Sequence, residues 1–196
     1  MAFVRTVKND AGFVVVCGRK VLFRWISRRK VLCRAYAILR FQEAREDLLQ
    51  RGCRLPSEAA PRWTGRYCVD FVKLGELRRP QFRQLGGGSL SLEDTLLVKY
   101  LRTGDEQVLA EYERLHVQYG IFPAEKMKGW RICALQTFAS VEKDGYDPMK
   151  SCIVIKENGD IADGYHRAAA LYAKFGPDHE IKVVRILGNV RFEGLM

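Results

Sequence analysis

Five consecutive residues in the C-terminal part of the chain carry groups suited to binding an anion. Residues 163–167 have the sequence Asp-Gly-Tyr-His-Arg, which combines a carboxylate, a glycine, an imidazole and a guanidinium. An alanine-rich helical pattern follows at 168–174. Backbone N–H groups at a helix start attract anions, and an arginine fork can bind two phosphate oxygens. The segment therefore predicts a phosphate site.

The residues around this segment alternate between strand and helix patterns. The expected order is strand, turn, strand, polar loop, helix and strand, at residues 152–155, 157–160, 161–162, 163–167, 168–174 and 181–186. The changes of periodicity coincide with turn residues such as Asn158, Gly159, Gly176 and Pro177. The candidate phosphate loop is thus expected between a strand and a helix.

Residues 138–186 resemble the ParB/sulfiredoxin-like fold, with a helical pattern at 133–143 followed by Gly145 and Asp147-Pro148. In ParB partition proteins the equivalent loop is Gly-x-Arg-Arg and binds the phosphates of CTP. In sulfiredoxins it is Gly-Cys-His-Arg, with cysteine as the nucleophile. The free-serine kinases of this fold have Asp-Gly-His-His-Arg, which holds a nucleotide. This chain is most similar to those kinases. It departs from them at Tyr165, which also takes the cysteine position of the sulfiredoxins.

The resemblance implies a nucleotide site with ATP or ADP and Mg²⁺ as cofactors. Arg167, His166, Tyr165 and the Gly164 backbone would hold the phosphates, and His166 is also a candidate catalytic residue. Asp163 would hold the Mg²⁺ ion between phosphates. The alternative for Asp163 is a capping role at the start of the following helix.

A phosphotransferase also needs a group that orients or deprotonates the attacking hydroxyl. The similar kinases use a glutamate well upstream of the loop, which corresponds by order to Glu125. A solvent-exposed glutamate at a helix start is the alternative for Glu125. Asp147 is the second candidate base, and its alternative is the common turn role of an aspartate before proline.

The composition favours an anionic partner. The chain has 196 residues, a formal net charge of +10 and a pI near 9.5. Such a charge suits nucleic acid, acidic lipid or a phosphorylated small molecule. The six cysteines show no C-x-x-C spacing, which argues against a zinc site. With no secretory signal and no apolar stretch near 18 residues, a cytoplasmic location is expected, with peripheral attachment at the inner membrane face as an addition.

The N-terminal part carries most of the positive charge. Residues 3–23 predict two short strands, or a strand and a turn, and residues 21–50 predict an amphipathic helix ending at Gly52. Nine basic residues and one acidic residue lie between positions 19 and 45. This segment suits an anionic membrane surface or, less favoured, a DNA backbone. A solvated face on a packed helix is the third interpretation.

The middle of the chain predicts one strand and two helices. Residues 53–92 are interrupted by prolines and glycines and are expected to be irregular, with one strand at 67–74. Ser91 is expected to begin a helix through a capping box with Asp94. A second helix is expected at 106–119, so that the two form an αα-hairpin.

These patterns predict an α+β protein. The expected divisions are a basic N-terminal region at 1–90, a helical hairpin at 91–119 and a ParB/sulfiredoxin-like nucleotide-binding domain at 120–196. The expected function is a nucleotide-dependent kinase that phosphorylates a hydroxyl of a small molecule such as an amino acid or a sugar. The alternative is a ParB-like DNA-associated protein that binds a nucleotide or resembles a nuclease.

Overall fold

The computed structural model describes residues 4–9, 12–17, 20–25, 41–55, 66–81, 87–120 and 123–188. Near the N-terminus, three strands form an antiparallel meander: β1 (Val4–Asn9), β2 (Gly12–Cys17) and β3 (Lys20–Trp25). The predicted helix from residue 21 is wrong at its start, because the β-branched and aromatic residues of β3 pair with β2. Residues 26–40 of that prediction lie outside the described residues, and residues 41–50 are helical and form α1.

A mixed four-stranded sheet forms the centre of the C-terminal part. Its strands are β4 (Tyr67–Lys73), β7 (Ile153–Lys156), β8 (Ile161–Asp163) and β9 (Glu180–Ile186), in the order β4-β9-β7-β8. β7 and β9 are parallel, and the other neighbours are antiparallel. A separate antiparallel pair consists of β5 (Arg78–Pro80) and β6 (Ser89–Ser91). The strands predicted at 67–74, 152–155, 161–162 and 181–186 are confirmed within a residue or two.

Four further helices complete the described structure. They are α2 (Leu96–Thr103), α3 (Glu106–Gln118), α4 (Ala124–Asp144) and α5 (Tyr165–Phe175). The helical hairpin is confirmed, but its first helix begins at Leu96 rather than Ser91. Thr95 caps it, because its hydroxyl accepts a hydrogen bond from the Val98 N–H. Ser91 and Asp94 bond to each other in the preceding turn.

The strands β7 and β9 of the central sheet are buried on both faces. Alternate residues of β7 enter different cores, with Ile153 and Ile155 on one face and Val154 on the other. This explains the continuous apolar run in the sequence, which is typical of a strand covered on both sides. The first core contains side chains from α2, α3, α4 and α5, and the second contains Phe41, Ala44 and Leu48 of α1. The first core draws residues from all three predicted segments of the chain, so the sheet and its packing extend beyond residues 120–196.

The described chain is an α+β structure, as the sequence predicts at this level. Among the described helices, none has both the length and the apolar character needed to cross a membrane.

Candidate functional site

The candidate phosphate segment is the junction between β8 and α5. β8 ends at Asp163, Gly164 adopts a left-handed conformation with φ 85° and ψ 22°, and α5 begins at Tyr165. A Cβ at Gly164 would lie 3.2 Å from Cα of Ile153 and 2.9 Å from Nη2 of Arg167, so both the conformation and the close packing favour glycine. The predicted loop is therefore shorter than expected, because residues 165–167 form the first helical turn.

The start of α5 has the properties of an anion-binding helix terminus. No side chain caps it, and the first N–H group with a helical acceptor is that of Ala168, which donates to the Gly164 carbonyl at 3.0 Å. The earlier N–H groups of a helix have no partner within the helix and attract negative charge. Asp163 does not serve as the cap, since Gly164 occupies that position.

Asp163 and Arg167 form an ion pair across this junction. Nη2 of Arg167 lies 3.2 Å from Oδ2 of Asp163, and each side chain is about one-fifth exposed. The same nitrogen lies 3.5 Å from the carbonyl oxygen of Cys152. Nε of Arg167 is buried and makes no hydrogen bond within the described structure. The two residues expected to hold Mg²⁺ and phosphate are thus brought together, and each neutralises the other's charge.

His166 is held in a largely buried position beside other basic groups. Burial lowers its pKa to about 4, and the charge of Arg79, His116 and Arg167 contributes in the same direction. The edge of its ring meets Phe138 at a centroid distance of 6.1 Å. His166 is therefore neutral at pH 7 and can act there as a hydrogen-bonding group rather than as a cation.

Tyr165 lines a pocket beside the helix start. Its ring is buried, and the guanidinium carbon of Arg79 lies 4.4 Å from the ring centroid. Burial raises the pKa of its hydroxyl, and the neighbouring Thr95 side chain acts in the opposite direction. The pocket encloses about 490 Å³, part of it open to solvent, and is also lined by Tyr112 and His116.

The two candidate bases lie in different settings. Glu125 is exposed in the first turn of α4, and within the described structure no hydrogen bond or ion pair joins it to residues 163–167. Asp147 lies in the connection between α4 and β7, where its carboxylate accepts a hydrogen bond from the Met149 N–H at 2.8 Å. That contact gives Asp147 the turn role that was its alternative interpretation.

Arg79 is the residue near this site that the sequence did not single out. It lies in β5, inside the segment expected to be irregular, and acts on the pKa of Tyr165, His166 and His116. Arg78 and Arg79 are adjacent in the sequence, and no periodicity in this short strand distinguishes the inward-facing one. Only the pairing of β5 with β6, and the packing of both near α5, make that distinction.

The described residues contain no cluster of three or more His, Cys, Asp or Glu side chains arranged to hold a metal ion. A Mg²⁺ ion at Asp163 would therefore take its remaining ligands from phosphate oxygens and water, as this ion commonly does. The fold and the site define an α+β protein with an uncapped, glycine-led helix start beside an arginine–carboxylate pair. A scan against protein-family models found no match, and searches of curated proteins and of solved structures found none either.

Proposed function

We propose that this protein binds a nucleotide at the start of α5 and transfers its terminal phosphoryl group to a hydroxyl of a small molecule. The observation that carries the proposal is the junction itself: a strand, a left-handed glycine and an uncapped helix with an arginine in its first turn. This arrangement suits phosphate oxygens, because backbone N–H groups and a guanidinium belong to the same first helical turn.

The resemblance to the ParB/sulfiredoxin-like kinases supports the same assignment. In that family the loop between a strand and a helix holds the nucleotide, and here residues 163–167 join β8 to α5. Arg167 and the first N–H groups of α5 would bind the phosphates, and Asp163 would bind Mg²⁺. The ion would neutralise the charge that develops on the transferred group. On nucleotide binding the Asp163–Arg167 pair would separate. Asp163 would then bind the Mg²⁺ ion, and Arg167 would bind the phosphate.

The acceptor hydroxyl would need a base and a positioning group. Glu125 remains the proposed base, and its solvent exposure leaves its carboxyl group accessible to an acceptor. His166 would donate or accept a hydrogen bond as a neutral imidazole, in keeping with its lowered pKa. Tyr165, which replaces a histidine of the similar kinases, contributes to the wall of the adjoining pocket.

Calorimetry with ATP, ADP, CTP and GTP, each with and without Mg²⁺, tests the binding step. Without Mg²⁺, Asp163→Asn should bind nucleotide more tightly, because Arg167 loses its competing carboxylate. With Mg²⁺ the same variant should bind about tenfold or more weakly, because the ion loses a charged ligand. Arg167→Gln should weaken binding under both conditions. The matched control is Arg114→Gln, which breaks an exposed arginine–glutamate pair on α3.

Phosphate transfer to a panel of amino acids and sugars tests the chemical step. Glu125→Gln should bind nucleotide normally and lose about 10²- to 10⁴-fold in rate, the usual contribution of a positioned base. Full activity in this variant would contradict the role of Glu125. If Arg167→Gln and Asp163→Asn both bind nucleotide as the unmodified chain does, the site itself is wrong. Tight binding with no transfer to any acceptor would favour a nucleotide switch over a kinase.

A further inference from the structure

The pocket beside Tyr165 contains a cation that no anionic group of the described residues matches. The side chain of Arg79 is half-buried, and within the described structure its guanidinium makes no ion pair and no hydrogen bond. Its one partner there is the face of the Tyr165 ring, at 4.4 Å. A cation–π contact compensates only part of the cost of removing a guanidinium from water. The N–H donors of this partly buried guanidinium could be satisfied by the oxygens of a bound anion.

Within the described structure, the surroundings of Arg79 supply no compensating negative charge. His116 is buried on the pocket wall, and Nδ1 of its ring donates to the Tyr112 carbonyl at 2.8 Å. Burial and the charge of Arg79 lower the pKa of His116. Among the described residues that line the pocket there is no carboxylate. The charge balance of the cavity therefore lacks one negative group.

The rest of the wall is apolar and aromatic. Leu90, Leu96 and Leu115 line the cavity together with the rings of Tyr112 and Tyr165. These side chains come from β6, α2, α3 and α5, so four elements converge on the space. A charged fork at one point and an apolar wall elsewhere match a ligand with an anionic head and a small apolar body.

We propose that the Arg79 pocket, lined by Arg79, Leu90, Leu96, Leu115, His116 and Tyr165, binds a small organic anion. The ligand class is a carboxylate or phosphate group attached to an apolar or aromatic body. The guanidinium of Arg79 binds the anionic oxygens, and the leucine and tyrosine side chains hold the body. This site does not depend on the nucleotide proposal, because its cation is Arg79 in β5 and not Arg167 in α5. Its position beside α5 makes it a site for an acceptor or an effector.

The three histidines of the chain provide a direct readout of this pocket. His116 lines it and His166 lies beside it, whereas His179 is exposed and stacks on Phe175 just beyond the C-terminal end of α5. In the full chain with labelled histidine, NMR can follow all three rings during titration with benzoate, phenyl phosphate or neutral benzyl alcohol. We expect both anions to shift His116 and His166 and to leave His179 unchanged. Benzyl alcohol should bind about tenfold or more weakly, because it lacks the charged contact.

Arg79→Met should reduce benzoate and phenyl phosphate affinity about tenfold or more, since a charge-assisted hydrogen bond is lost. Arg78→Met is the matched control, because Arg78 is its exposed neighbour in β5, and it should bind as the unmodified chain does. Arg79→Lys, which keeps the charge and loses the fork, should fall between the two. Equal affinity for benzoate and benzyl alcohol would overturn the proposal, as would unchanged anion affinity in a folded Arg79→Met. Stronger affinity for phenyl phosphate or for benzoate would identify the preferred head group.

The two proposals fail separately. The Arg167→Gln variant should bind benzoate normally and bind nucleotide weakly. The Arg79→Met variant should bind nucleotide normally and bind benzoate weakly. Loss of both ligands in a single variant that remains folded would contradict the independence of the sites.

Discussion

At the scale of single residues, the site is defined by which charges are paired. Arg167 is paired with Asp163 at 3.2 Å, whereas the partner of Arg79 among the described residues is an aromatic ring and not a carboxylate. An ion pair separates only when a ligand provides a new partner for each side chain. A nucleotide with its metal ion does so, because the metal ion can bind the carboxylate and the phosphate can bind the guanidinium. A guanidinium without a carboxylate partner, such as that of Arg79, can bind an anion that carries no metal ion. Two arginines near one helix start therefore suit two kinds of ligand.

The burial of His166 predicts a pH dependence of stability. Its pKa is lowered from 6.5 to about 4 in the folded chain, so the unfolded chain binds the extra proton first as the pH falls. The stabilisation is complete above pH 6.5 and declines as the pH falls from there towards 4. We expect the free energy of unfolding to drop by about 2 kcal/mol between pH 7.5 and pH 5. Arg79, His116 and Arg167 face this ring, and the lowered pKa of His116 acts in the same direction.

Urea unfolding across this pH range measures the effect. His166→Gln should reduce the slope of stability against pH, whatever its effect at neutral pH, because the titrating group is absent. His179→Gln, at an exposed position, should leave the slope as it is. An unchanged slope in His166→Gln would show that the ring is not buried in its neutral form.

At the scale of secondary-structure elements, the start of α2 decides the shape of the Arg79 pocket. Thr95 is buried, its hydroxyl donates to the Leu92 carbonyl at 2.7 Å, and its side chain lines the pocket beside Tyr165. The sequence favoured Ser91 as the cap because of its spacing to Asp94. The structure places that pair in an exposed turn before the helix. One threonine thus links the cap of α2 to the first residue of α5.

Substitutions at the two candidate caps should have unequal effects. Thr95→Ala should lower the free energy of unfolding by about 1–2 kcal/mol, because it removes the cap and a buried hydrogen bond. Ser91→Ala should change it by less than about 0.5 kcal/mol, as is usual for exposed positions. Thr95→Ser keeps the hydroxyl and should recover most of the loss. Chemical unfolding of the three variants measures the order, and a larger effect at Ser91 would restore the capping box predicted from the sequence.

At the scale of the whole molecule, the positive charge is the dominant property. The net charge of +10 predicts attraction to polyanions that weakens steeply with salt. Much of it lies at residues 19–45, where the described residues begin with the strand β3 and not with a helix. Residues 26–40 lie outside the described residues, so the expectation of membrane binding there depends on the charge of the sequence.

Binding to duplex DNA and to vesicles containing phosphatidylserine should be compared across a salt series. Replacing Arg28, Arg29 and Lys30 with glutamine should weaken binding to the preferred surface and reduce the salt slope, because fewer counterions are released. The control replaces the exposed Lys99, Lys126 and Lys128 in α2 and α4 and removes the same charge. Equal effects of the two triple variants would show a general attraction. If the chain binds neither DNA nor the vesicles, the interpretation of residues 19–45 as a solvated face is favoured.

Local patterns were sufficient for most of the elements. The apolar run at 152–155, the Asn158-Gly159 turn and the β-branched run at 181–186 correspond to strands and turns that the structure contains. The hairpin of α2 and α3 was predictable for the same reason, since Gly104 and Asp105 interrupt a helical periodicity. Such signals come from neighbours in the chain, where turn residues and side-chain spacing act directly on the backbone.

Where several conformations satisfied the same pattern, the sequence was not sufficient. Lys20–Trp25 can place its apolar residues on one side of a helix or alternate them along a strand, and pairing with β2 selects the strand. The sequence predicts Asp147 as either a candidate base or a turn residue, and in the structure its carboxylate accepts a hydrogen bond from the Met149 N–H.

By itself the sequence determined an α+β chain with a strong positive charge and a strand–glycine–helix junction with an arginine in its first turn. Only the tertiary structure decided that Arg79 lies over Tyr165. The physical reason is that charge pairing and burial depend on contacts between distant residues. Arg79 and Tyr165 are far apart in sequence and meet because β5 and α5 pack near each other. No local periodicity records that contact.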